Sequence, residues 1–182
     1  MDRELLLRAR AGDSEAFELV VQQRGEQLFR TAKAILGSEA DALDATQETF
    51  ISAWRRLSDL RDVDRFDAWL GRILVNQCRM TLRRRGRVRE VPLADRSDGG
   101  GPTSSGRPTD GAGDDSSALA FDNAFERLTV DQRAILVLHH VHGYGVGEIG
   151  AWLGVPVGTV KWRLHRARRA LREAFEGEGG RP

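Results

Sequence analysis

The chain has 182 residues, with 28 lysines and arginines against 27 aspartates and glutamates and a formal net charge of +1, a length that admits one ordinary domain or two small ones. A single cysteine, Cys78, excludes an intramolecular disulfide and any framework of cysteine metal ligands. The longest strongly apolar run, Ala134 to Leu138, is far too short to span a bilayer, and the opening MDRELLLRARAG lacks a signal-peptide core, so a soluble cytoplasmic protein without membrane insertion is expected.

Residues 1–86 read as helix after helix. Asp13 and Ser14 follow Gly12 and can cap a helix bearing Phe17, Leu19, Val20, Val21, Leu28, Phe29, Ala32 and Leu36. Gly37 ends that run and Ser38 can cap the next. From Glu39 to Leu57 the apolar Leu43, Phe50, Trp54 and Leu57 share one face, while Asp41, Asp44 and Glu48 form an acidic stripe on the neighbouring one. A short break from Ser58 to Asp64 precedes a helix with Phe66, Trp69, Leu70, Ile73 and Leu74 apolar. Its far end carries Arg79, Arg83, Arg84, Arg85, Arg87 and Arg89 with no intervening acid.

The character then changes. GGGPTSSGRPTDGAGDDSS has almost nothing to bury, and residues 90–118 hold six acids against two arginines, leaving a local net charge of −4. That is a flexible, acidic linker by composition. Helical texture resumes near Leu119, and Thr129 with Gln132 fits a capping box for a helix over Val130–Val141. No strand-period alternation and no internal repeat is present.

The segment Val146–Leu171 reads as two helices pinned by a tight turn. Val146, Ile149 and Leu153 fall at helical spacing, and Gly154-Val155-Pro156 supplies a helix stop followed by a helix start. In the second helix Val157, Val160, Leu164, Ala167 and Leu171 form a buried face. Around it stand Lys161, Arg163, Arg166, Arg168, Arg169 and Arg172, six cations with no acid before Glu173. A helix-turn-helix that lays such a helix in the DNA major groove follows from this pattern. Two cationic patches on a nearly neutral chain imply two contacts with a polyanion, because only the local field acts within a Debye length.

With both halves in view, the chain resembles bacterial sigma factors of the extracytoplasmic-function (ECF) type within the sigma-70 family. The resemblance is carried by DALDATQETFISAWRRL (41–57), RFDAWLGRILVNQCRMTLRRRGR (65–87) and LTVDQRAILVLHHVHGYGVGEIGAWLGVPVGTVKWRLHRARRALR (128–172). It implies an all-α fold of two small helical domains joined by a flexible linker, the C-terminal one a helix-turn-helix. Residues 1–86 would form the region that binds polymerase and opens the −10 element, 87–118 the linker, 119–177 the region that recognises the −35 element, and 178–182 a tail.

The resemblance further implies core RNA polymerase as partner, met at the β′ clamp coiled coil and the β subunit, together with promoter DNA and an anti-sigma factor. Polymerase binding would fall to Asp41, Asp44, Gln47, Glu48, Phe50 and Trp54; the two aromatics read equally well as core. Reading of the −10 element would fall to Arg61, Phe66, Asn76, Arg79, Arg83 and Arg84, because a flipped base needs a polar pocket and phosphate contacts. Reading of the −35 element would fall to Gly158, Thr159, Lys161, Trp162, Arg163 and Arg166. Two positions depart from the family: Met80 replaces a frequent aspartate, and Trp162 a small serine. The indole either meets thymine methyl groups or turns away to cover a domain surface.

Other classes fit less well. No phosphate-cradling glycine loop, nucleophile elbow or acid pair for metal-dependent cleavage is present, so no enzyme, catalytic residue or cofactor is expected. His139, His140 and His142 lack cysteine or carboxylate support for a metal and read as surface or packing histidines. The alternative is a helix-turn-helix transcriptional regulator with an N-terminal sensing or dimerising domain. Such a regulator has no use for the acidic stripe on 41–54 or the basic helix from Asn76 to Arg85.

Overall fold

The first half is built from helices whose ends are chemically marked. In a computed structural model that describes residues 2–90 and 115–177, Asp2 caps α1 (Arg3–Arg10) by accepting from the Glu4 amide, and Asp13 caps α2 (Ser14–Leu36) by accepting from Ala16. Helix α2 stops at Gly37, which adopts φ +72° and sends its amide back to the Lys33 carbonyl. A side chain would be strained in that left-handed conformation. Ser38 then caps α3 (Glu39–Arg56). Two short 3-10 turns, Leu57–Asp59 and Val63–Arg65, lead into α4 (Phe66–Glu90), the longest helix described. The described residues contain no strand.

The second half starts with α5 (Asp115–Glu126) and α6 (Val130–Leu136), the latter opened by the expected capping box of Thr129 and Gln132. Helix α6 does not run on as a regular helix to Val141. It widens into a π turn over Val137–Val141, with the His142 amide reaching the Val137 carbonyl and the Tyr144 amide that of Leu138. The wide turn swings His142 and Tyr144 onto α2. Helices α7 (Val146–Leu153) and α8 (Val157–Gly177) form the helix-turn-helix, with Gly154 in the left-handed region at φ +68° between them. Helices α4 and α5 extend four residues into the span expected to be linker at each end. Residues 91–114 of that span, and the tail 178–182, lie outside the described residues.

The two halves share one continuous core. Leu28, Ala32, Ile35, Phe66, Leu70 and Leu74 from the first half join Ala134, Ile135, Leu138, Ile149 and Trp152 from the second in a single buried cluster. The closest approach is between α4 and α7. A Cβ built on Gly71 would lie 2.2 Å from a ring carbon of Trp152, so only glycine admits the indole there. Polar contacts ring this seam. Arg79 pairs with Asp131 at 2.6 Å, the Arg72 guanidinium donates to the Ala151 carbonyl at 3.3 Å, and Gln27 donates to the Tyr144 hydroxyl. Thr31 donates its hydroxyl proton to the Gln27 carbonyl, so at 3.0 Å it must accept from Nε2–H of His142.

Arg133 is the charged residue buried in the seam, only 7% exposed. Its guanidinium donates to the carbonyls of Leu128, Ile35 and Glu126, which belong to the C-terminal ends of α2 and α5 and the turn after α5. Helix C-termini carry partial negative charge, so peptide dipoles take the place of a carboxylate partner. Burial still pulls this guanidinium below its ordinary pKa, with nearby Glu126 opposing the shift.

Candidate nucleic-acid interface

Helix α8 leans on the core through Val160, Leu164 and Ala167 and presents the opposite face to solvent. Gly158, Lys161, Trp162 and Arg166 are exposed, and Thr159 and Arg163 half-buried, so all six residues expected for −35 recognition lie on or beside the open face. Val157, expected in the core, is 43% exposed, while Val160 is fully buried. Further along, Arg168 donates to His140 at 3.2 Å and Arg169 pairs with Glu173, so these two cations have partners within the protein. No acid pairs with Lys161, Arg163 or Arg166 among the described residues. Trp162 stays outside: its indole is 57% exposed, with the Arg166 guanidinium 4.9 Å from the ring centroid.

The second cationic surface lies along α4. Asn76, Arg83 and Arg84 are exposed and Arg79 is half-buried, while Arg61 stands exposed in the loop before α4. Phe66 does not belong with them. It is 1% exposed and packs against Trp69 inside the core, so its side chain cannot reach a base. Asn76 and Arg79 are already engaged, since Arg79 donates to the Asn76 carbonyl oxygen at 2.5 Å while holding Asp131 of α6. Cys78 is fully buried on the inner side of α4, and burial pushes its thiol up to about 12, which suits packing and not thiol chemistry.

Helix α3 departs most from expectation. Its core side is made of small groups, Ala42, Ala45, Thr46, Thr49 and Ala53, together with Phe50 at 9% exposure. Phe50 is therefore core and not a surface anchor. Asp41 is half-buried and paired with Arg85, which ties α3 to α4. Asp44, Gln47 and Glu48 do face solvent. Leu43, expected to share a face with Phe50 and Leu57, is 51% exposed, and with Ile51 at 42% and Trp54 at 39% it forms an apolar stripe beside those polar groups. Trp54 is held against Phe17 at 4.9 Å between centroids.

Other features carried no sequence signal. Arg133 looked like one more helix arginine, and Gly71 one more interior glycine; neither discloses its partner without the fold. Among the described residues no group of three or more histidine, cysteine or acidic side chains could hold a metal, and no helix is long and apolar enough to cross a membrane.

Comparison with known proteins defines the class. The family model for sigma-70 region 2 matches residues 20–88 and that for sigma-70 region 4 matches residues 118–171. The chain is 36% identical over 170 residues to the ECF RNA polymerase sigma factor SigM of Mycobacterium tuberculosis, covering 93% of this chain and 82% of SigM. It is 35% identical over 165 residues to SigE of Mycolicibacterium smegmatis, covering 89% of this chain but 63% of that relative's length. Among solved structures it resembles CnrH in complex with the cytosolic domain of CnrY, with 29% identity, a TM-score of 0.64 and 97% of each chain covered.

The chain belongs to the ECF sigma factors of the sigma-70 family. Its function is promoter-directed transcription initiation through RNA polymerase.

Proposed function

We propose that this function is divided among three surfaces. The open face of α8, with Gly158, Thr159, Lys161, Trp162, Arg163 and Arg166, reads the −35 element. Arg61, Asn76, Arg79, Arg83 and Arg84 read and open the −10 element. The α3 stripe of Asp44, Gln47, Glu48, Leu43, Ile51 and Trp54 docks on core polymerase at the β′ clamp. Residues 1–86 and 119–177 act as the two working units, in the cytoplasm and without catalysis.

The observation that carries this reading is the pairing of two cationic helix faces with a third helix that exposes apolar and acidic groups together. A DNA-only regulator needs the first two and not the third. The −10 and −35 elements lie about 25 base pairs apart, roughly 85 Å at 3.4 Å per base pair. A packed body of this chain length is about 40 Å across by its expected radius of gyration. One packed body cannot touch both elements, so the units part when promoter and polymerase are bound. The arrangement joined at Arg79–Asp131 and Gly71–Trp152 is then a holding state in which Asn76 and Arg79 are occupied. CnrH is seen bound to CnrY, and we propose that an anti-sigma factor likewise holds this chain closed.

Runoff transcription with core polymerase on a random promoter library tests the reading. Enrichment of templates with two separated motifs is expected, and tight sequence-specific DNA binding by the free protein would instead favour a plain regulator.

A further inference from the structure

We propose that Trp162 is a specificity determinant that reads a thymine through its 5-methyl group, with Arg166 orienting the indole. The inference rests on α8 being the −35 helix. Trp162 covers no domain surface: more than half of it is in water, on the same side of α8 as Lys161 and Arg166.

The local geometry shapes a reader. Arg166 lies one turn after Trp162, and its guanidinium is 4.9 Å from the ring centroid, a cation–π contact that restricts where the ring can point. One turn before Trp162 stands Gly158, where an added Cβ would meet nothing within 4 Å. The indole is thus bracketed by a planar cation on one side and an open notch on the other, at the end of α8 that enters a groove first. In the major groove every base edge presents polar atoms, and thymine alone adds a methyl group, at C5 beside its O4 acceptor. The carbon edge of the indole has that group as its natural complement, while Lys161 and Arg163 beside it meet phosphates or guanine.

Uracil lacks only that methyl group and so isolates the contact. The holoenzyme is first used to select a promoter from a random library, and each thymine of the upstream element is then replaced singly by uracil. One replacement is expected to weaken holoenzyme binding about fourfold, the effect of burying one methyl group. With Trp162→Ser the same replacement should have no effect, and selection should lose its preference at that position. Arg166→Lys should keep the salt dependence of binding, because the charge is retained, yet reduce the uracil penalty. Indifference to uracil at every position, or the same penalty in Trp162→Ser, overturns the proposal. An unchanged penalty in Arg166→Lys overturns the orienting role. Failure of the holoenzyme to select any upstream motif overturns the functional reading and this inference with it.

Discussion

Gly71→Ala adds one methyl group at the tightest point between the halves. The new Cβ would lie 2.2, 2.4 and 2.6 Å from three ring carbons of Trp152, where carbon atoms ordinarily rest at about 3.5–4.0 Å. One of the two helices must therefore retreat by about 1.5 Å. Trp152 cannot swing aside easily, because it is 5% exposed and packed against the Tyr144 ring at 5.3 Å. Overpacking of this kind costs about 1–3 kcal/mol, which lowers the closed-to-open ratio by roughly 5- to 150-fold. Alanine also favours helix over glycine by about 0.8–1 kcal/mol, and α4 keeps that gain whether the halves are joined or apart. The two effects have opposite signs, so the variant should lose compactness without losing helix. Small-angle scattering should report a larger radius of gyration while circular dichroism is undiminished. Binding to core polymerase should tighten as the competent form becomes more populated. Unchanged scattering with an unchanged or raised melting temperature would refute the claim that this contact holds the halves together.

Three further outcomes are expected. Reversing Asp44 and Glu48 to lysine should abolish co-purification with core polymerase at undiminished helicity, since both face solvent; normal recovery would remove α3 from the polymerase surface. Arg133→Met strands the carbonyls of Leu128, Ile35 and Glu126 and should destabilise the protein by about 1.5–3 kcal/mol, visible as a lower thermal midpoint; an unchanged midpoint would mean that water replaces the guanidinium at little cost. His142 has its pKa lowered, first by burial and then by Arg30, so the packed form favours the neutral ring. Its contribution is complete above the ordinary histidine pKa near 6.5 and declines as pH falls through that value toward the lowered one. Compactness should therefore weaken as pH falls below about 6.5, and His142→Gln should flatten that dependence; an equally steep profile in the variant would assign the titration elsewhere.

Much of the fold was legible because its punctuation is local. The caps at Asp13, Ser38 and Thr129, the stop at Gly37 and the Gly154–Pro156 turn each act within a few residues, and each stands where the residue types place it. Both cationic surfaces were legible for the same reason. Periodicity, however, identifies faces without saying which one meets the core. On α3 the small residues face inward and Leu43, Ile51 and Trp54 outward, although helical spacing puts Leu43 on one face with the buried Phe50 and Leu57. Phe50 and Phe66 erred the other way, since the residues that line the core behind them come from elements distant in sequence. Val157 was misread because helical spacing does not show that the buried stripe of α8 starts at Val160. Gly71, the π turn of Val137–Val141 and the reach of Arg133 to Ile35 matter through contacts between the halves, and no window of sequence contains those.

The ring of contacts around Arg79 has an electrostatic consequence. In the joined form Asp131 neutralises Arg79, and Arg133 is buried against helix ends. In the proposed open form Asp131 stays with its own unit, and Arg79 carries an unpaired charge beside Arg83 and Arg84. Arg133 surrenders one carbonyl, that of Ile35, and keeps the two from its own half. Separation thus converts a nearly neutral body into one whose α4 face is uncompensated. In dilute solution that exposed charge works against opening. Beside a phosphate backbone the same charge is matched, so a polyanion binds the open form better and draws the equilibrium toward it. The DNA then acts as a counterion as well as a sequence to be read, and rising salt should erode the first role while sparing the second.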